Sequence, residues 1–189
     1  MVVTSLNRDD LDDGRASVFV DAVREIRQVS QSCAVELLTP DFSGDEAALQ
    51  VLLAERPEIL NHNIETVRRL FPSLRPQGKY DRLLEVLARA KRLGARTRSE
   101  LMIGLGETQN EVREVMCDLG TVGCEMLTIG QCLQPTTSHA AVEKFYTPEE
   151  FAAFKLDGFA LGFNHVESGP LVRSSHHAAQ QANSEGLVG

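Results

Sequence analysis

Cysteines are few in this chain, and no two of them stand close together. Cys33, Cys117, Cys124 and Cys132 include no pair with the two-residue gap that lets neighbouring thiolates grip one metal ion or cluster. They read as single buried thiols in a reducing compartment. Long apolar runs are missing too, because nowhere do the ~20 uncharged apolar residues needed to cross a bilayer follow one another. The opening Met1-Val2-Val3-Thr4 has neither a signal peptide's charged start nor an Arg-rich transit pattern. There is no basic stripe: 19 Lys and Arg against 27 Asp and Glu leave a formal net charge of −8, which makes nucleic acid a poor partner. Internal repeats and low-complexity tracts are absent. These absences leave a cytoplasmic protein with no membrane and no nucleic-acid partner as the default expectation.

What is present is ordinary globular material. The 189 residues are 42% hydrophobic and 24% charged, enough for a real core in one domain or slightly more. Short β-rich segments alternate with longer helical ones. Strands are expected over 2–6, 34–39 (stopped by Pro40), 59–63, 100–105, 126–130 and, as a short last one, 163–166. Between them, Val18, Phe19, Ala22, Val23 and Ile26 recur at helical spacing over 15–29. Further helices are expected over 45–54 with Ser43 as its cap, over 80–93 closed by Gly94, from Thr108 with Glu111 completing a capping box, and over 148–161 with Thr147, Pro148 and Glu150 at its start. Repeated strand and helix units call for parallel strands with right-handed crossovers, so the class is α/β, an open sheet or part of a barrel short of eight strands.

In such folds chemistry sits just after the strands. Here those positions read Thr4-Ser5-Leu6-Asn7-Arg8-Asp9-Asp10, Pro40-Asp41-Phe42, Asn61-His62-Asn63-Ile64-Glu65, Gly104-Leu105-Gly106-Glu107-Thr108 and Gln131-Cys132-Leu133-Gln134-Pro135. Amides, hydroxyls and carboxylates on one rim suit a polar small molecule with ribose hydroxyls and an amino acid moiety. Taken alone, Gly104 to Thr108 is a tight strand-to-helix turn, lacking the third glycine and the lysine of phosphate-binding loops. His62 alone is a packed or hydrogen-bonded histidine. Asp9, Asp10 and Glu107 read as loop structure or helix caps, since no nucleophile and base pair accompanies them.

The segments Asp41-Phe42-Ser43-Gly44-Asp45, Leu60-Asn61-His62-Asn63-Ile64-Glu65-Thr66-Val67, Gly104-Leu105-Gly106-Glu107-Thr108, Leu127-Thr128-Ile129-Gly130-Gln131, Leu133-Gln134-Pro135 and Ser168-Gly169-Pro170-Leu171-Val172-Arg173-Ser174-Ser175 stand in an order that resembles the lipoyl synthases. The resemblance covers residues 1–178; 179–189, small and polar, read as a frayed tail. It implies a radical S-adenosylmethionine (SAM) enzyme on a partial (βα)6 TIM-like barrel lacking the first strand. Members insert sulfur at C6 and C8 of an octanoyl chain on a lipoyl-domain or carrier protein, using SAM and two 4Fe-4S clusters. Carried over, Thr4 and Ser5 would lie near the amino acid end of SAM, Asn63 and Glu65 near its ribose, and Leu133 and Gln134 beside its adenine. Ser174 or Ser175 would supply an oxygen ligand to the auxiliary cluster.

The chain also departs from that pattern. Neither of the family's two cysteine triplets is present, and its four cysteines fall where the family does not need them. Arg98 stands for a usual lysine, Glu100 for a small residue, Cys132 for an aromatic, His176 for a tyrosine and Arg15 for a glycine. The alternative reading is a catalytically inactive module that binds SAM weakly or pairs with another chain. If residues 1–6 form an edge strand, self-association through that edge is a further expectation.

Overall fold

The computed structural model describes residues 1–5 and 13–173. Six strands, β1 (Val2–Thr4), β2 (Glu36–Leu38), β3 (Ile59–Asn61), β4 (Thr97–Ile103), β5 (Met126–Gln131) and β6 (His165–Gly169), form one sheet in sequential order. Every neighbouring pair is parallel. The crossovers carry α1 (Ala16–Val29), α2 (Glu46–Ala54), the short α3 (Phe71–Leu74), α4 (Tyr80–Arg92), α5 (Gln109–Thr121) and α6 (Pro148–Ala160). This is the expected partial (βα)6 barrel. Among the described residues β1 and β6 each pair on one side only, so the barrel is open.

Strand alternation sorts the side chains. Leu37, Leu60, Leu101, Ile103, Leu127, Ile129 and Val166 point to the helices and form two buried clusters, one with Phe19, Val23 and Leu52 and the other with Val115, Met116, Phe151 and Phe154. The residues between them, Glu36, Asn61, Arg98, Glu100 and Thr128, are buried on the concave face. There Arg98 Nη1 pairs with Glu36 Oε2 at 2.8 Å, and Asn61 Nδ2 donates to Glu36 Oε1 at 2.8 Å, joining β2, β3 and β4. The polar concave face explains why β4 starts at Thr97 rather than residue 100: Thr97, Arg98 and Ser99 are strand residues with no apolar signature.

Other boundaries moved for local reasons. Both capping boxes form as expected, on Thr108 with Glu111 and on Thr147 with Glu150. The cap of α2 is Asp45, whose side chain accepts from Ala47 N, whereas Ser43 lies in a 3-10 turn with φ 53°. Strand β6 begins two residues later than expected and ends three later. The four-residue α3, with Pro72 in its first turn, is too short for a periodic signal.

Arg15, at the N-cap of α1, has φ 73°, a left-handed conformation that glycine adopts freely and other residues do at a cost. Among the described residues its side chain makes a long hydrogen bond, Nη1 to Ser5 Oγ at 3.3 Å. Arg15→Gly is therefore expected to stabilise the fold by up to about 1 kcal/mol. An unchanged or lower midpoint in urea denaturation would show that the arginine's contacts outweigh its backbone strain.

Candidate functional site

Because all six strands are parallel, their carboxyl ends share one rim. The described residues of the turns read from the sequence therefore share that rim; Leu6 to Asp10, with the Asp9 and Asp10 carboxylates, lie outside the described residues. A cavity of about 630 Å³ opens at the tips of β1, β2 and β3. Thr4, Ser5, Asn63 and Glu65, the four expected SAM-binding residues of the first three strand tips, all line it, together with Thr39, Asp41 and His62. Its far wall is the long connection 62–79, which supplies Phe71, Leu74, Arg75 and Pro76.

The tip of β3 is laced to both neighbours. His62 N donates to Arg98 O at 3.0 Å, Ile64 N to Ser99 Oγ at 2.9 Å, and Glu65 N to Glu100 O at 3.0 Å. On the other side, His62 Nδ1 lies 2.8 Å from Thr39 O, and burial pushes this imidazole's pKa down, holding it neutral. With a neutral ring and a carbonyl partner, Nδ1 carries the proton. His62 Nε2, Thr39 Oγ1 and Asn63 Oδ1 are buried without a hydrogen-bond partner, so the wall holds unused polar capacity. His62 is thus first a packed histidine, as its isolated reading suggested.

Glu65 is the most constrained residue of the site. Its φ of 71° is left-handed, yet its N–H and C=O are both bonded to β4, the latter accepting from Met102 N at 2.9 Å. Such strain persists only where the surroundings over-determine it. Burial raises the Glu65 pKa, and the guanidinium of Arg75, 3.2 Å from Oε1, opposes that rise. Across the cavity Arg82 pairs with Asp41 at 3.2 Å. Arg75 and Arg82 carried no sequence signal; the length of connection 62–79 was the only hint that it serves a site.

The remaining expected residues divide. Leu133 and Gln134 lie on the connection after β5, outside this cavity; Leu133 is exposed, and Gln134 Nε2 donates to His139 O at 2.9 Å. Ser174 and Ser175 lie outside the described residues. The chain leading to them crosses the mouth: a Cβ on Gly130 would lie 2.5 Å from Val172 O and 3.0 Å from Arg173 Nη1. Arg173 therefore sits over the carboxyl end of β5, on the concave side. The Gly104 to Thr108 turn satisfies itself, since Glu107 accepts from Gly104 N at 2.6 Å and Leu105 N at 2.8 Å. Those two amides are therefore not open to a phosphate, and Thr108 N is taken up by Glu111 Oε2 at 2.8 Å.

A 4Fe-4S cluster does not fit the cysteines present. Cys33 and Cys124 precede β2 and β5 at the amino ends, Cys117 is exposed on α5, and Cys132 alone is at the rim. Burial pushes the Cys124 thiol up to about 12 and raises that of Cys132. Among the described residues no group of three His, Cys, Asp or Glu could hold a metal ion. None of their helices is long and apolar enough to cross a membrane.

Six sequential parallel strands around a polar concave face, with a cavity at their carboxyl ends, define a partial-barrel enzyme domain. Residues 3–119 match the model of the Radical SAM superfamily, and the chain belongs to that superfamily. Within it the chain is similar to lipoyl synthases. It is 54% identical to that of Rubrobacter xylanophilus over 95% of this chain and 57% of the relative, and 51% identical to that of Shouchella clausii over 97% and 60%. The lipoyl synthase of Chlorobaculum parvum is 52% identical over 94% of this chain and 61% of its own. The chain thus spans about three-fifths of the length of these curated relatives. The crystal structure of methylornithine synthase (PylB) matches 92% of the chain and 58% of its own with a TM-score of 0.67 at 15% identity, which shows the shared fold.

Proposed function

We propose that this chain is the SAM-binding partial barrel of a lipoyl synthase, the enzyme that inserts sulfur at C6 and C8 of a protein-bound octanoyl chain. The observation that supports it best is the meeting of Thr4, Ser5, Asn63 and Glu65 in one cavity at the carboxyl rim. Bound SAM and 4Fe-4S clusters supply hydrogen abstraction and sulfur for an unactivated carbon, chemistry beyond any side-chain acid or base. The residues of this chain bind and orient. Thr4 and Ser5 offer hydroxyls to an amino acid moiety, and Asn63 and Glu65 offer acceptors to ribose hydroxyls. Leu133 and Gln134 would border the adenine once the loop that carries them folds inward. Thiolates for a cluster are not gathered here, so no catalytic step is assigned to these cysteines, and Ser174 or Ser175 stays a proposed oxygen ligand. An octanoylated lipoyl-domain or carrier protein is the proposed partner, and the edge of β1, unpaired among the described residues, is where self-association would occur.

Calorimetric titration with S-adenosylhomocysteine tests the site without requiring turnover. Saturable binding by the unmodified chain is expected, weakened about tenfold or more in Asn63→Ala and in Glu65→Gln, as the loss of one hydrogen bond to a charged or fixed group implies. Binding that is absent, or equal in all three proteins, would remove this cavity as the SAM site.

A further inference from the structure

We propose that Arg75 is a positioning residue that keeps the Glu65 carboxylate charged and aimed into the cavity, where it serves as an acceptor for a vicinal diol. The inference rests on the SAM-site reading above and adds a residue which that reading does not use.

Three observations carry it. First, Glu65 is held by its backbone and not by its side chain: both peptide groups are bonded to β4 while φ stays at 71°, so the carboxylate reaches the cavity from a fixed root. Second, the site takes Glu65 largely out of water, with its side chain only 20% exposed, which disfavours the ionised form. Third, Arg75 is the charged group placed to reverse this, with Nη1 3.2 Å from Oε1. It approaches from the residue after α3, on the far wall, so the pair spans the turn after β3 and the connection that follows. The other charged groups lining the cavity are committed elsewhere, Asp41 to Arg82 across the cavity, and His62 is neutral.

The chemistry needs the ionised form. A protonated carboxyl presents one donor and competes with the diol's own hydroxyls, whereas a carboxylate accepts from both. An opposite charge within ~4–6 Å lowers a carboxyl pKa by roughly 1–3 units. Without Arg75, protonation of Glu65 would begin at correspondingly higher pH. Arg75 is half exposed, so it touches solvent as well as Glu65 and is not required to touch the ligand.

The test is the pH profile of S-adenosylhomocysteine binding between pH 5 and 8. The unmodified chain should lose affinity toward the acid end. In Arg75→Gln that loss should begin about one pH unit higher, giving up to roughly tenfold weaker binding toward the acid end and little change at pH 8, and Arg75→Lys should restore the original profile. A probe lacking the 2′ hydroxyl should show a weaker dependence in all proteins. An Arg75→Gln profile that superimposes on that of the unmodified chain, while Glu65→Gln still weakens binding, would overturn the role of Arg75 and leave the site intact. Tighter binding by Arg75→Gln at every pH would also overturn it, since the pair would then be a competitor. If Glu65→Gln binds like the unmodified chain, it is the SAM-site reading that fails.

Discussion

Arg98→Met is expected to destabilise the protein by about 3–5 kcal/mol at pH 8, because it strands the buried Glu36 carboxylate without its partner. Arg98 is 1% exposed and Glu36 5% exposed, so no solvent replaces the lost ion pair. Methionine fills much of the volume with an apolar, adaptable chain, which limits the cavity contribution. The pH dependence separates charge from packing. Burial raises the Glu36 pKa above its ordinary value even with Arg98 beside it. A carboxyl with a raised native pKa binds its proton more tightly folded than unfolded, so its contribution to stability falls as pH rises from the unfolded value toward the native one. Removing the guanidinium moves the native value higher still and widens that window. The variant should therefore lose most at pH 8 and distinctly less near pH 5, where Glu36 can be neutral. Glu36→Gln combined with Arg98→Met should recover most of the loss, since Asn61 Nδ2 still finds an oxygen acceptor at position 36. Urea midpoints at the two pH values decide it. Equal losses at both, or a double variant no better than the single one, would mean that Arg98 acts by filling space.

The same polar concave face shows what the sequence could reveal. The helix-facing half of each strand was readable, because Leu37, Leu60, Leu101, Ile103, Leu127 and Ile129 must be apolar to meet the helices. The other half was not, since a charge pair between Glu36 and Arg98 joins residues of separate strands and leaves no periodic trace. The rim was readable for a topological reason: strands linked by right-handed helical crossovers run parallel, so Thr4, Asn63 and Glu65 had to end on the same side. Family likeness then narrowed the ligand. Arg75 escaped because its distance to Glu65 depends on the path of connection 62–79, which α3 turns back toward the cavity. Ser43 was mistaken for a helix cap because it and Asp45 are both good capping residues two positions apart, and only the 3-10 turn decides between them.

The second large effect is expected at Gly104. With φ at 103° the position is strained for any residue bearing a Cβ, and here the Cβ would also collide with Gln131 Nε2 and lie 2.6 Å from Lys144 O. Those two atoms belong to a clasp. Gln131 Nε2 donates to Lys144 O at 3.0 Å and Cys132 O at 3.2 Å, its Oε1 accepts from Tyr146 N at 3.0 Å, and Gly104 O accepts from Glu143 N at 2.8 Å. One side chain thus pins the far end of the connection after β5, whose near end carries Leu133 and Gln134, back to the tip of β5, and the Glu143 bond ties it to the end of β4. Gly104→Ala is expected to destabilise by roughly 2–4 kcal/mol, combining backbone strain with the broken clasp. Gly94→Ala provides the comparison. Its φ is 87° and nothing lies within 4 Å of the added Cβ, so it should lose only about 1 kcal/mol. The difference between the two isolates the clasp, and Gln131→Ala checks it: in the Gly104→Ala background the Gln131 substitution should do far less further damage than it does alone, as groups sharing one contact are not additive. Denaturation midpoints in which Gly104→Ala and Gly94→Ala fall together, or in which the two clasp substitutions simply add, would show that the β5 connection is held by something other than Gln131.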